Sequence, residues 1–88
     1  MSYRIEWSGP ARGDMARLPS RVAVAVMVYV DERLAENPQR LSKPLEGDLR
    51  GKRTARNGDY RVLLRIDDDP QIVWILHVDH RAHVYRSR

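Results

Sequence analysis

Arg61 and Arg81 are the residues with which this sequence is best equipped to do chemistry. Each stands at the end of a predicted strand, and antiparallel pairing of the two strands brings them together. Two convergent guanidiniums form a socket for a phosphate and stabilise charge that gathers on phosphorus during transfer. Salt bridges to Asp59 and Asp79 are the structural alternative, and the pattern fits both. Lys52, Arg53 and Arg56 add an electrostatic track. Alternation along an extended chain sends Lys52, Thr54 and Arg56 to one side and Arg53 to the other. If the first side is also that of Arg61, the cluster makes a cationic cleft. Tyr85 at its edge is placed to stack on an unpaired base or, equally, to pack at a sheet edge.

Three histidines, His77, His80 and His83, invite a metal reading by their spacing of three. On a strand, however, His77 and His83 share one side and His80 faces the other. No HExxH motif or cysteine accompanies them, so no metal is expected. His77 reads as a strand residue. His83, beside Arg81 and Tyr85, is the best general acid or base, because imidazole titrates near neutrality. The acidic run Asp67, Asp68, Asp69 lacks the ligand spacing and glycine of a calcium loop. With Pro70 it reads as a turn.

The elements that must hold these groups are few. The chain has 88 residues, of which 42% are hydrophobic, enough for one domain with one real core, expected to span residues 1–88. It has no cysteine, which excludes a disulfide framework and thiolate zinc sites and suits a reducing, cytoplasmic setting. Residues 1–7 read as lacking an apolar signal region. The longest apolar run, Val22 to Val30, is too short to span a bilayer, so no membrane is expected. Net charge is +4, and eight of the 16 cationic residues fall between Arg40 and Arg65, opposed there only by Glu46, Asp48 and Asp59. Arginine's planar fork suits phosphate and stays charged. This distribution points to a polyanion partner rather than to a merely solvated surface.

Tyr3, Ile5 and Trp7 alternate with polar residues and predict a first strand. Ala11, Met15 and Leu18 recur at helical spacing, with Ser8 or Gly9 before Pro10 as the start and Pro19 as the stop. Ser20 is a suitable cap for a second helix. That helix takes in Val22 to Leu34 despite its β-branched residues, with Val22, Val26 and Val30 on one face beside Ala23, Met27 and Leu34. Asn37-Pro38 ends it. Gln39 to Gly51 reads as a loop pinned by Leu41, Leu45 and Leu49. Asn57-Gly58 marks a hairpin turn, followed by strands over Tyr60 to Ile66 and Ile72 to Val78. In the last strand Ile72, Trp74, Leu76 and Val78 fall on one face. The expected fold is α+β in the order β-α-α-β-β-β: an N-terminal strand, an antiparallel helical hairpin, then a mostly antiparallel sheet.

Two segments, Gly58 to Asp68 (GDYRVLLRIDD) and Val78 to Arg86 (VDHRAHVYR), resemble the RelE branch of the RelE/ParE toxin superfamily. The first strand, the first helix and the Lys43-Pro-Leu-Glu-Gly loop fit the same pattern. The resemblance implies a metal-independent, ribosome-dependent mRNA endonuclease that needs no cofactor. Such a toxin cuts the codon in the ribosomal A site by attack of a ribose 2′-OH on the adjacent phosphate. It also implies a cognate antitoxin, RelB-like or Phd-like, in an assembly as large as a heterotetramer or a higher complex. The ribosome and mRNA are the other partners.

By the same resemblance Arg61 holds the scissile phosphate, Arg81 is the second catalytic arginine and Tyr85 stacks on the mRNA. Lys52 matches the first of a lysine pair whose second member is Thr54 here, and a threonine is no substitute for that base. To act as a base Lys52 would need a lowered pKa, which nearby Arg53 and Arg56 would promote, and His83 is placed to share the proton work. Two other readings stand beside this one. One is a ParE-like poison of DNA gyrase, which generally lacks the arginine-tyrosine set. The other is a catalytically weak RNA- or antitoxin-binding relative, which Thr54 would suit.

Overall fold

The computed structural model describes residues 2–80. The candidate site residues Arg81, His83 and Tyr85 lie outside them. The described residues run β1 (Arg4–Trp7), α1 (Gly9–Arg17), α2 (Ser20–Tyr29), a π-helical turn (Val30–Leu34), α3 (Pro38–Leu41) and β2 (Ser42–Pro44). A 3-10 turn (Gly47–Leu49), β3 (Arg53–Asn57), β4 (Tyr60–Asp68) and β5 (Gln71–His80) complete them. The fold is mixed α+β, with helices on one face of a five-stranded sheet in the order β1-β5-β4-β3-β2. Only β1 runs parallel to its neighbour, β5; the other pairings are antiparallel.

The Ser8 hydroxyl caps α1 by accepting the Ala11 N–H at 3.2 Å, and Pro10 occupies the first turn, where its missing N–H costs nothing. The expected cap at Ser20 is not used. Pro19 holds the cap position, α2 begins at Ser20, and the Pro19 carbonyl accepts the Ala23 N–H. A proline with extended ψ already turns the chain into the helix, so the link is one residue shorter than expected. The valine-rich run is helical because its face of Val26, Tyr29, Val30 and Leu34 is buried against the sheet. Tertiary packing overrides the β preference of its valines. Met27, expected on that face, is instead about half exposed. The helix continues through the π turn, where the Ala35 N–H reaches the Val30 carbonyl.

Gln39 to Gly51 is not a plain loop: it carries the end of α3, β2 and the 3-10 turn. Leu41 packs on the core as expected, whereas Leu49 is exposed. β2 is short and lies at the sheet's edge, where Pro44 is tolerated. The first hairpin turns at Gly58-Asp59, one residue later than expected, because Asn57 pairs with Tyr60. Gly58 has φ 62°, the left-handed value that the first corner of a tight hairpin demands.

In the second hairpin the register slips between Leu63 and Leu64. Leu63 pairs with His77 and Leu64 with Ile75, which leaves Leu76 as the extra residue of a bulge. The face of β5 that packs under the helices is therefore Val73, Ile75 and Val78, not the even-numbered set throughout. The Leu76 carbonyl accepts the Ser8 hydroxyl at 3.0 Å, and the Asp14 carboxylate accepts the Val78 N–H at 2.9 Å. So α1 continues the edge pairing of β5 where β1 stops. Val26, Val30, Leu34, Val62, Leu64, Val73 and Ile75 have no exposed surface. Each such side chain contributes about 1.5–3 kcal/mol. The covered face thus holds the fold, and the open face is left to carry charge.

Candidate functional site

Burial of Ala55 and Val62 beneath the helices fixes which way their neighbours point. Thr54 and Arg56 on β3, and Arg61 on β4, face away from the helices. Arg56 pairs directly with Arg61 across the ladder, and Thr54 pairs with Leu63 on β4 and with Lys43 on β2. Three cations from three consecutive strands therefore share one face. With Leu41 and Thr54 they line an open cleft of about 290 Å³, and no carboxylate among the described residues lines it.

Directly opposed like charges weaken a sheet. Two unit charges about 4 Å apart repel by ~1 kcal/mol in bulk water. The fold tolerates that cost, and an anion between the two guanidiniums would relieve it. Among the described residues the salt bridges are Arg4–Glu6, Arg17–Asp14, Arg65–Asp67 and His77–Asp14. None involves Lys43, Arg56 or Arg61. Asp79 stands directly across from Arg61, yet neither it nor Asp59 forms a salt bridge with that arginine. The salt-bridge alternative for Arg61 is not realised.

Lys52 and Arg53 lie elsewhere. Together with Gln39, Pro44, Gly51, Ile66 and Asp68 they line a separate depression of about 220 Å³. Arg53 points to the helix side, as alternation predicts, and its guanidinium is engaged there. Nε donates to the Ser42 hydroxyl at 2.7 Å, and Nη2 donates to the Gln39 and Ser42 carbonyls, each at 3.1 Å. Lys52 precedes β3, its backbone tied to Leu45 and Leu49. The expectation that it shares a cleft with Arg56 and Arg61 is not met.

The acidic turn is used as a set of acceptors. Asp67 takes the Trp74 indole N–H at 2.9 Å, and Asp68 takes the Tyr3 hydroxyl at 2.8 Å and a Gln39 amide N–H at 2.9 Å. His77 is exposed, with Nδ1 3.1 Å from Asp14. Among the described residues no group of three His, Cys, Asp or Glu side chains is placed to hold a metal. β5 is described up to His80, which pairs with Tyr60 beside Arg61. On the helix side Tyr60 meets Tyr29 edge-on, with ring centroids 6.1 Å apart. Burial raises the pKa of both phenols, and Arg33 partly offsets the rise.

Sequence reasoning missed Lys43 as a cleft residue. It stood only as one cation among eight and as the start of a loop fitting the family pattern, because β2 was unrecognised and its register with Thr54 was therefore invisible.

The family model, the sequence relatives and the superposed structure below together show a toxin of the RelE/ParE superfamily, whose fold is this mixed sheet with helices on one face. Residues 5–85 match the family described as ParE toxin of type II toxin-antitoxin system, parDE, and the chain belongs to that family. It is 44% identical over 86 residues to Toxin RelG of Mycobacterium tuberculosis (strain ATCC 25618 / H37Rv), covering 98% of this chain and 99% of that one. Toxin RelE of the same organism is 43% identical over 84 residues, covering 96% and 87%. The toxin-antitoxin complex RelBE2 from M. tuberculosis contains a chain that superposes with TM-score 0.90 at 42% identity, covering 92% of this chain and all of that one.

Proposed function

We propose that this type II toxin is a ribosome-dependent endoribonuclease that cuts mRNA in the ribosomal A site and so arrests translation. It acts in the cytoplasm as one domain spanning the chain. The observation that carries this reading is the direct opposition of Arg56 and Arg61, two cations without carboxylate partners among the described residues, on the open face of a rigid sheet.

In the proposed reaction a base removes the proton of a ribose 2′-OH, and the oxygen attacks the adjacent phosphorus. The bond to the 5′ oxygen breaks, leaving a 2′,3′-cyclic phosphate, and an acid protonates the departing oxygen. Arg61 holds the scissile phosphate and stabilises the phosphorane, with Arg81 as the second guanidinium. Tyr85 stacks on a base of the codon. Arg56 binds the backbone. Lys52, in its separate depression, and His83 are the candidates for proton transfer, a task suited to an imidazole side chain. The reaction needs no metal in this account. His83→Gln should flatten the pH dependence of cleavage; an unchanged profile would remove His83 from the mechanism.

The cognate antitoxin is proposed to be RelB-like, since the structural relative above is a toxin-antitoxin complex. The resemblance leaves room for a Phd-like one and for a heterotetramer or a larger assembly. An acidic segment of the antitoxin over the cationic cleft would neutralise the toxin by direct competition. The test is purified toxin on programmed ribosomes, with cut sites mapped to the nucleotide. Cuts within the A-site codon support the proposal. Intact mRNA together with gyrase-dependent DNA breaks would instead support a gyrase poison.

A further inference from the structure

The geometry points to Lys43 as a further RNA-contacting residue of the cleft, binding a backbone phosphate beside the one held by Arg61, with the Thr54 hydroxyl as its companion. This rests on the nuclease reading above.

The backbone at Lys43 is firmly placed, and its side chain is exposed. Its neighbour Ser42 is buried, donates its hydroxyl to the Pro38 carbonyl at 2.6 Å, and takes two of the three Arg53 hydrogen bonds. With Ser42 facing the core, alternation turns Lys43 to the open face. There it pairs with Thr54, two residues along β3 from Arg56, and lines the same cleft as Arg56 and Arg61. By family resemblance a second lysine is expected at position 54. Here that position is a neutral threonine, and an ammonium arrives from the adjacent strand instead. The cleft keeps its charge by moving the cation one strand outward.

Thr54 gives an independent indication. Its Oγ1 is buried and has no hydrogen-bond partner among the described residues. A buried hydroxyl left unpaired is unfavourable in the unliganded fold. Thr54 also lines the cleft, so a turn about its Cα–Cβ bond presents the hydroxyl to an occupant. A phosphodiester matches the set: oxygens for the hydroxyl proton, for the ammonium as a point charge and for the guanidinium forks.

The test pairs RNA affinity and its salt dependence with thermal stability. Wild type, Lys43→Ala, Lys43→Arg and Thr54→Val are titrated with a short single-stranded RNA and assayed on programmed ribosomes. Lys43→Ala should weaken RNA binding by about tenfold and lower the log–log salt slope by about 0.7, the loss of one phosphate contact on a single strand. Lys43→Arg should restore the slope. Thr54→Val should lower RNA affinity while leaving Tm unchanged or raising it, the reverse of what a structural hydroxyl would do. Arg17→Ala, a remote cation paired with Asp14 on α1, should leave the slope alone.

If wild type cuts and binds RNA but Lys43→Ala matches it in affinity and slope, the inference fails and the nuclease reading stands. A Lys43→Ala effect confined to antitoxin affinity would overturn the inference as well. Failure of wild type to bind RNA or cut would take down both readings. Should Lys43→Ala not fold, Lys43→Gln supplies the same comparison with the side-chain stem retained.

Discussion

The depression that holds Lys52 and Arg53 and the cleft on the open face are both lined by cations and use them in opposite ways. In the first, the Arg53 guanidinium makes three hydrogen bonds that tie β3 to β2 and α3. In the second, Lys43, Arg56 and Arg61 converge from three strands, and no carboxylate among the described residues lines the space. Arginine in the first place contributes to the fold, and in the second it costs the fold a little and, in the proposed function, meets RNA. Basic composition alone does not separate these roles. Hydrogen-bond geometry does.

Mutations that trade stability against activity should separate the two regions. The largest expected effect is at Arg61. Arg61→Ala should reduce A-site cleavage by about 10²–10³-fold, the usual loss when one transition-state donor is removed. Its Tm should stay within error of wild type or rise, since a like-charge pair is relieved. A fall in Tm that accounts for the lost activity would place Arg61 with Arg53 as a structural cation. Arg53→Ala should behave the other way. It should cost about 2–3 kcal/mol in urea unfolding, because charged hydrogen bonds in partly buried surroundings are lost. Cleavage per folded molecule should persist.

Smaller effects sharpen the same contrast. Ser8→Ala removes both the cap of α1 and the bond to the Leu76 bulge, and should cost about 1–2 kcal/mol without changing the salt dependence of RNA binding. The smallest effect concerns the covered face. Burial raises the Tyr29 and Tyr60 phenols above their ordinary value of 10.0. The unfolded chain therefore loses these protons first as pH rises. The stabilisation is complete below pH 10 and is lost as pH climbs through the folded-state values. Tyr60→Phe should make stability fall less steeply above pH 10, read by Tm, beside a small pH-independent loss from the hydrogen bond that the phenol donates to the Ala25 carbonyl at 3.3 Å.

Much of this architecture was legible in the residues. Ser8 before Pro10, the glycine after Asn57, and alternation from Tyr60 to Ile66 each carry a local physical signal strong enough to place an element. The opposition of Arg56 and Arg61 follows from that hairpin once its two-residue turn is known. What stayed hidden depends on partners distant in sequence. β2 is a strand only because β3 offers it an edge, and nothing in Ser42-Lys-Pro44 announces that. The extra residue at Leu76 is stabilised by Ser8, 68 positions away, so simple alternation mis-assigned the buried face of β5. Lys43 went unplaced for the first of these reasons. Lys52 was assigned by extending strand alternation one residue past the point where the strand begins. The roles of Arg81, His83 and Tyr85, read from the residues and from the family resemblance, are proposals.

The central claim is that the open-face cations act on RNA. It is met most directly by mapping mRNA ends on programmed ribosomes after exposure to wild type and to Arg61→Ala of equal Tm. The account predicts new ends within the A-site codon for wild type and their near-complete loss for the variant. Equal cutting by both proteins would contradict it.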